Sequence, residues 1–375
     1  MDAAGSSISV TNGSGNGGDD KQQTAANVAG AEGSRKDAAA EDVFEDAFEE
    51  QPLASNQVRI EVRATGICGS DIHVFHDTIN YNIRTPVVMG HEFSGVVVEK
   101  GEDADDGISV GDRVTGEPSV YICEKCNYCL SEHYNLCSER KVMGYWHDGC
   151  FAPFCNATFV HKLPDNVSFE AGALTELLAC CVHSVTEQAG VDAGDFVAII
   201  GPGPVGLFSS IVALAEGATV VLLGTGRDSE RLKLAADLGV HHVVDVEKCD
   251  PVEAVNTLTA GYGADVVVEC AGVAPAMDLA LNLVRKRGRV SQMGLPGKPI
   301  QIDFEKIAYK ELQVSGGIGQ RRPAWKRALR LMENGFVPSE KLVTHKFGLD
   351  QWERAFTMAE QQEGVKLMFL PEDKN

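Results

Sequence analysis

Two hydrophobic periods divide this chain. From Val58 to about Val160, short apolar runs alternate with turn residues, as in Val58-Arg-Ile-Glu-Val-Arg63, Phe93-Ser-Gly-Val-Val-Val-Glu-Lys100 and Gly111-Asp-Arg-Val-Thr115. Half-buried strands at this spacing predict a small antiparallel β-barrel. The stretch Ala173 to Val185 then reads as an apolar helix in which Glu176 is the one acid, and an ionised carboxylate on such a face needs a partner. From Asp195 the pattern changes to short β-branched runs separated by helical segments, which predicts a parallel sheet covered on both faces. Its strands fall at 195–200, 219–223, 243–246, 265–269, 289–293 and 311–315, with a first helix from Val205 to Glu216. The fold class is α/β, with a barrel unit beside a doubly wound sheet.

Two turns carry candidate metal chemistry. One reads Gly66-Ile67-Cys68-Gly69-Ser70-Asp71-Ile72-His73 and the other Gly90-His91-Glu92-Phe93-Ser94-Gly95. Thiol, imidazole and carboxylate are zinc ligand types, and a catalytic zinc takes about three protein ligands and keeps one open position. Ser70 offers a hydroxyl near such a position, Asp71 a carboxylate for an imidazole N–H, and His73 an outlet for a proton. Any one of them alone would more often be a small core thiol or a surface charge. A second motif, Cys123-x2-Cys126-x2-Cys129-x7-Cys137, gives four thiolates at a spacing that closes around one tetrahedral zinc, so this site should hold structure.

The parallel-sheet half has its own signature. The first strand runs into Gly201-Pro-Gly203-Pro204-Val205-Gly206 and then a helix, the arrangement that places a dinucleotide pyrophosphate on a helix N-terminus. Later turns with Gly272 and Gly294 fall at the same sheet edge, where a nicotinamide would lie. At the end of the second strand, where an acid would hold the ribose hydroxyls of NAD, the chain reads Gly224-Thr225-Gly226-Arg227. With no carboxylate there, and with Thr225 and Arg227 available to a 2′-phosphate, the loop favours NADP; NAD stays open if Arg227 is solvated and Asp228 caps the next helix.

Cys68-Gly-Ser-Asp-Ile-His73 followed by Gly90-His91-Glu92 resembles the metal site of the medium-chain dehydrogenase/reductase superfamily, in its sorbitol (polyol) and threonine dehydrogenase branch. The resemblance covers Val58 to the C-terminus. It implies a GroES-like antiparallel β-barrel catalytic domain over residues 51–185 and 337–375, with a structural zinc lobe at 117–140, and a Rossmann dinucleotide-binding domain over 186–336. It also implies two zinc ions per chain, the catalytic one on Cys68, His91 and Glu92 with Glu176 nearby, although the family's Glu-Pro is Glu176-Leu177 here. Ser70 and His73 fall on the proton path. The reaction implied is reversible oxidation of a secondary alcohol or polyol by NAD or NADP in a homodimer or homotetramer.

The chain departs from the branch in several places. No opening strand pair is evident before Val58, Pro153 interrupts a usual strand in 148–160, Val74 replaces an aromatic residue, and Gly316-Gly-Ile-Gly-Gln320 lacks an Arg-aromatic pair. These changes leave L-threonine oxidation as an alternative. A catalytically impaired zinc- and nucleotide-binding interaction protein is a further one, which one tightly held zinc in place of two would indicate.

Composition narrows the setting. With 33 basic against 54 acidic residues the formal charge is −21, which argues against nucleic acid and anionic membranes as partners. No run of about eighteen apolar residues is present. Residues 1–50 contain 11 acidic and 3 basic side chains in a Gly/Ser/Ala-rich background, and read as a disordered acidic tail with at most a short helix over Glu41 to Glu50. Of eleven cysteines, five lie in the metal motifs and the others in apolar segments, as expected of reduced thiols in a cytoplasmic protein.

Overall fold

The computed structural model describes residues 51–79 and 83–371, together with the backbone of Ser9–Val10 and Val43–Phe44. The first unit is a seven-stranded sheet. Its early strands are β1 (Val58–Gly66), β2 (Glu92–Lys100), β3 (Arg113–Gly116), β4 (Phe154–Ala157) and β5 (Val160–Lys162). Strand β1 pairs with both β2 and β4, and β3 joins β2 to β5, all antiparallel. Alternate burial along β1 puts Val58, Ile60 and Val62 inward, as its period requires. Pro153 lies just before β4, where its carbonyl accepts from the Val62 N–H at 2.9 Å and the missing proline N–H costs nothing.

Helix α1 (Gly69–Phe75) follows β1, and helix α2 (Thr175–Val182) follows β5 and continues as a π-helical turn, His183–Gln188. The chain then builds a six-stranded parallel sheet from β6 (Phe196–Ile200), β7 (Thr219–Gly224), β8 (His242–Asp245), β9 (Ala264–Glu269), β10 (Val284–Gln292) and β11 (Gln313–Gly316). Its order is β8-β7-β6-β9-β10-β11, so the direction of winding reverses between β6 and β9. That reversal opens a crevice at the carboxyl ends of the strands. Helix α3 (Pro204–Ala215) leads from β6 and helix α4 (Arg322–Glu333) follows β11. The chain finally returns to the first sheet with β12 (Val343–Phe347) and β13 (Lys366–Phe369); β13 pairs antiparallel with β1 and parallel with β12.

Two expectations need correction. Strands do precede Val58: Ser9–Val10 pairs with both Val43–Phe44 and Val87–Val88, in pieces too short to show a period in the sequence. Val43–Phe44 is accordingly extended within the stretch read as a short helix, while the rest of that stretch and of the acidic tail lies outside the described residues. Among the described residues no helix is long and apolar enough to cross a membrane.

The two sheets share a core. Leu174, Leu178 and Val182 of the α2 segment pack in one buried cluster with Val197, Leu207, Phe208 and Ile211 of the parallel-sheet unit and with Trp325 of α4. Trp325 is fully buried, stacks on His161 at 5.2 Å, and leaves its indole N–H without a partner. Trp325→Ala should therefore lower unfolding free energy by about 3–5 kcal/mol in urea titrations. Trp325→Phe should cost clearly less, because no hydrogen bond is lost with the indole.

Candidate active site

The two metal-type turns converge where β1 ends and β2 begins. Cys68 is the N-cap of α1, and Asp71 in the first turn accepts from the Cys68 backbone N–H through Oδ2 at 2.8 Å. Its other oxygen, Oδ1, stands 3.2 Å from His91 Nδ1, so one buried carboxylate ties both turns together. This leaves His91 Nε2 for another partner, and Ser70 Oγ lies 3.5 Å from it. Ligand atoms of Cys68, His91 and Glu92 all lie within 4.8 Å of one another. Glu92 is fully buried and its Oε2 makes no well-aligned hydrogen bond. Three convergent donors, one of them a fully buried carboxylate, suit zinc in type and number.

Glu92 has a partner that sequence reading missed. Lys366 of β13, itself buried, places Nζ 2.6 Å from Glu92 Oε1 and 2.5 Å from Oε2, and donates to the Ile67 carbonyl at 2.9 Å. Burial opposes the ammonium charge, but the Glu92 carboxylate together with Cys68 and Glu176 outweighs it and holds the lysine above its ordinary range. The available signal was a lone lysine inside Val365-Lys-Leu-Met-Phe-Leu370, since a cation in a buried strand demands a counter-charge.

Glu176 stands outside the group of three mutually close ligands. Gln320 donates to its Oε1 at 2.9 Å, and burial raises its pKa. Helix α2 reaches both functional regions: five residues on, the Cys181 thiol donates to the Val205 carbonyl at 3.5 Å, at the start of α3. His73 is exposed, with Nδ1 3.0 Å from Thr78 Oγ1. Tyr145, not singled out from the sequence, packs 5.7 Å from the His91 ring, and burial pushes its phenol up to about 12.

Ligand atoms of Cys123, Cys126, Cys129 and Cys137 also lie within 4.8 Å of one another. Hydrogen bonding from the Lys125 N–H draws the Cys123 thiol down to about 7, while burial pushes Cys129 up to about 12. The lobe docks on the loop after β11, where Asn135 donates to the Ile318 carbonyl at 2.9 Å.

At the crevice, each glycine of the turn has a separate task. Gly201 adopts φ +99°, in the left-handed region. A Cβ on Gly206 would stand 1.9 Å from the Gly201 carbonyl oxygen, so only glycine allows α3 this close to β6. A Cβ on Gly203 would meet nothing within 4 Å, which leaves the N-terminus of α3 open to a pyrophosphate. Gly272 and Gly294 pack against each other, held by Glu269, whose Oε1 accepts from Ala271 and Gly272 N–H groups at 2.8 and 2.9 Å. At the end of β7, Gly224 packs against Pro202, Arg227 is exposed, and the Thr225 hydroxyl donates to Asp228 Oδ2 at 2.7 Å. That last bond occupies a group expected to serve a 2′-phosphate.

Comparison with known proteins settles the family. Residues 54–165 match the alcohol dehydrogenase GroES-like domain, and residues 204–334 match the zinc-binding dehydrogenase family. A sorbitol dehydrogenase of Halalkalibacterium halodurans is 43% identical over 321 residues, covering 85% of this chain and 92% of that protein. The chain belongs to the zinc-dependent medium-chain dehydrogenase/reductase superfamily. A D-arabitol-phosphate dehydrogenase of Enterococcus avium is 40% identical over 316 residues, covering 84% of this chain and 89% of that one. Among solved structures, a candidate zinc-binding dehydrogenase from Sinorhizobium meliloti 1021 bound to NADP aligns with TM-score 0.78 at 31% identity, over 86% of this chain and 94% of its own. Within the superfamily the dehydrogenase falls in the polyol and threonine branch, and it is an NAD(P)-dependent enzyme acting on alcohols or polyols.

Removing the ammonium next to Glu92 strands a buried charge in the dehydrogenase. In metal-free protein, Lys366→Met should lower stability by about 3–5 kcal/mol in urea denaturation. Added zinc should recover part of that loss, because a dication can replace the lysine as counter-charge.

Proposed function

We propose that the dehydrogenase oxidises a secondary hydroxyl of a polyol to the ketone, reversibly, with zinc held by Cys68, His91 and Glu92 and a second zinc held by Cys123, Cys126, Cys129 and Cys137. The observation that carries this reading is the mutual approach of the first three ligand atoms within 4.8 Å, beside a helix whose next turn touches the dinucleotide turn. Zinc bound there supplies a Lewis acid that acidifies a substrate hydroxyl, and the nicotinamide supplies the hydride acceptor.

The protein's own groups do the rest. Asp71 fixes the His91 ring by its contact at Nδ1, and Cys68 is fixed by the helix cap that the same carboxylate completes. Ser70, 3.5 Å from His91 Nε2, takes the hydroxyl proton and passes it outward towards exposed His73, three residues on in α1. Glu176 and Gln320 form a polar wall that can accept and donate to neighbouring substrate hydroxyls. The sorbitol and arabitol-phosphate relatives support a polyol, while Val74 in place of an aromatic residue suits smaller diols as well. The open edge of β11, with Val314 46% exposed, suits pairing with a second copy in a dimer or tetramer.

His91→Ala should abolish turnover of every alcohol in a panel of polyols, diols and L-threonine while leaving NAD(P)H binding largely intact. Undiminished activity would refute the metal site, and a clear preference for L-threonine would refute the polyol reading. Metal analysis should give about two zinc per chain in the wild type and about one in His91→Ala, because the closed four-cysteine site keeps its ion.

A further inference from the structure

The tip of β7 lacks the carboxylate that usually meets the adenosine ribose in this fold, since Gly224-Thr225 supplies none. The chain brings one in from the neighbouring strand. Glu247, two residues beyond β8, places Oε2 3.0 Å from the Gly226 backbone nitrogen and accepts its N–H. Gly226 makes the approach possible, because a Cβ there would stand 2.7 Å from that oxygen. The turn is braced: the Glu247 N–H donates to Asp245 Oδ1 at 3.1 Å, and Lys248 holds Asp245 Oδ2 at 2.7 Å.

The donors a 2′-phosphate would need are already committed. The Gly226 N–H faces Glu247, the Thr225 N–H and hydroxyl both face Asp228, and Lys248 faces Asp245. Arg231 spends its guanidinium on the Gln362 and Gly364 carbonyls. Exposed Arg227 is the cation left in the loop, whose neighbouring backbone and hydroxyl donors face the carboxylates of Asp228 and Glu247. A ribose with two free hydroxyls needs an acceptor, which Glu247 is. A phosphorylated ribose brings about two further negative charges to the same spot.

We propose that Glu247 replaces the missing acid of the second strand, accepts from the ribose hydroxyls, and makes the enzyme select NAD over NADP. This reverses the preference read from Gly224 to Arg227 alone, and it rests on the reading of the crevice as a nicotinamide dinucleotide site.

The test is equilibrium binding of NADH and NADPH to the zinc-loaded enzyme, followed by nicotinamide fluorescence. The wild type should bind NADH at least about tenfold more tightly than NADPH. Glu247→Gln keeps an oxygen for the Gly226 N–H but removes the charge, and should narrow the ratio about tenfold, chiefly by tighter NADPH binding. Gly226→Ala, which pushes the same oxygen away, should move the ratio in the same direction. Wild-type preference for NADPH, or a ratio unchanged in both variants, would overturn the proposal. Failure of the folded wild type to bind either nucleotide would instead overturn the dinucleotide reading, and the proposal with it.

Discussion

The buried pair of Glu92 and Lys366 is the contact through which β2 and the last strand, β13, become one site. Glu92 opens β2, Lys366 opens β13, and the same ammonium donates to Ile67 at the end of β1. Neither charge is tolerable alone in so dry a place, so each fixes the other, and the turn carrying Cys68 is held between them. This explains why the chain must return after the parallel sheet. Residues 343–369 supply the counter-charge without which the carboxylate of a Cys-His-Glu group would have no stable place in the absence of metal.

Asp71 and α2 extend the same logic outward. Asp71 spends one oxygen on the Cys68 cap and the other on His91, converting two separate turns into one rigid group. Helix α2 then links that group to the crevice, with Glu176 towards the metal side and Cys181 against Val205 at the start of α3. A common buried cluster on either side of α2 means that the metal site and the dinucleotide turn are set by one packed body. Hydride transfer demands such fixed relative placement, since the reacting atoms must meet at close range and in line.

The features legible in the sequence were those whose partners lie close along the chain or whose residue type admits few roles. The glycine turn, the four-cysteine lobe and the six parallel strands all fall where period and spacing put them, because strand, tight turn and helix start are local events. Lys366 was missed because its partner lies 274 residues away, and Tyr145 because an isolated tyrosine has many ordinary places to pack. The strand pairs at Ser9–Val10 and Val43–Phe44 are too brief to have a period at all.

The loop after β7 shows how a correct local observation leads to an incomplete physical one. No carboxylate stands at Gly224 or Thr225, as the sequence says, and from that alone the site looks receptive to a phosphate. But parallel neighbours bring the ends of β7 and β8 side by side, with Gly224 opposite Asp245, so residues about twenty apart in sequence share one edge of the crevice. The electrostatic character of that edge belongs to the sheet and not to either loop. A glycine at 226 then has a use beyond turn formation, since it clears the space through which the acid of the next strand reaches across. Charge at such a site is therefore set by strand order together with side-chain volume, and one strand end read in isolation omits the carboxylate that the next strand brings to it.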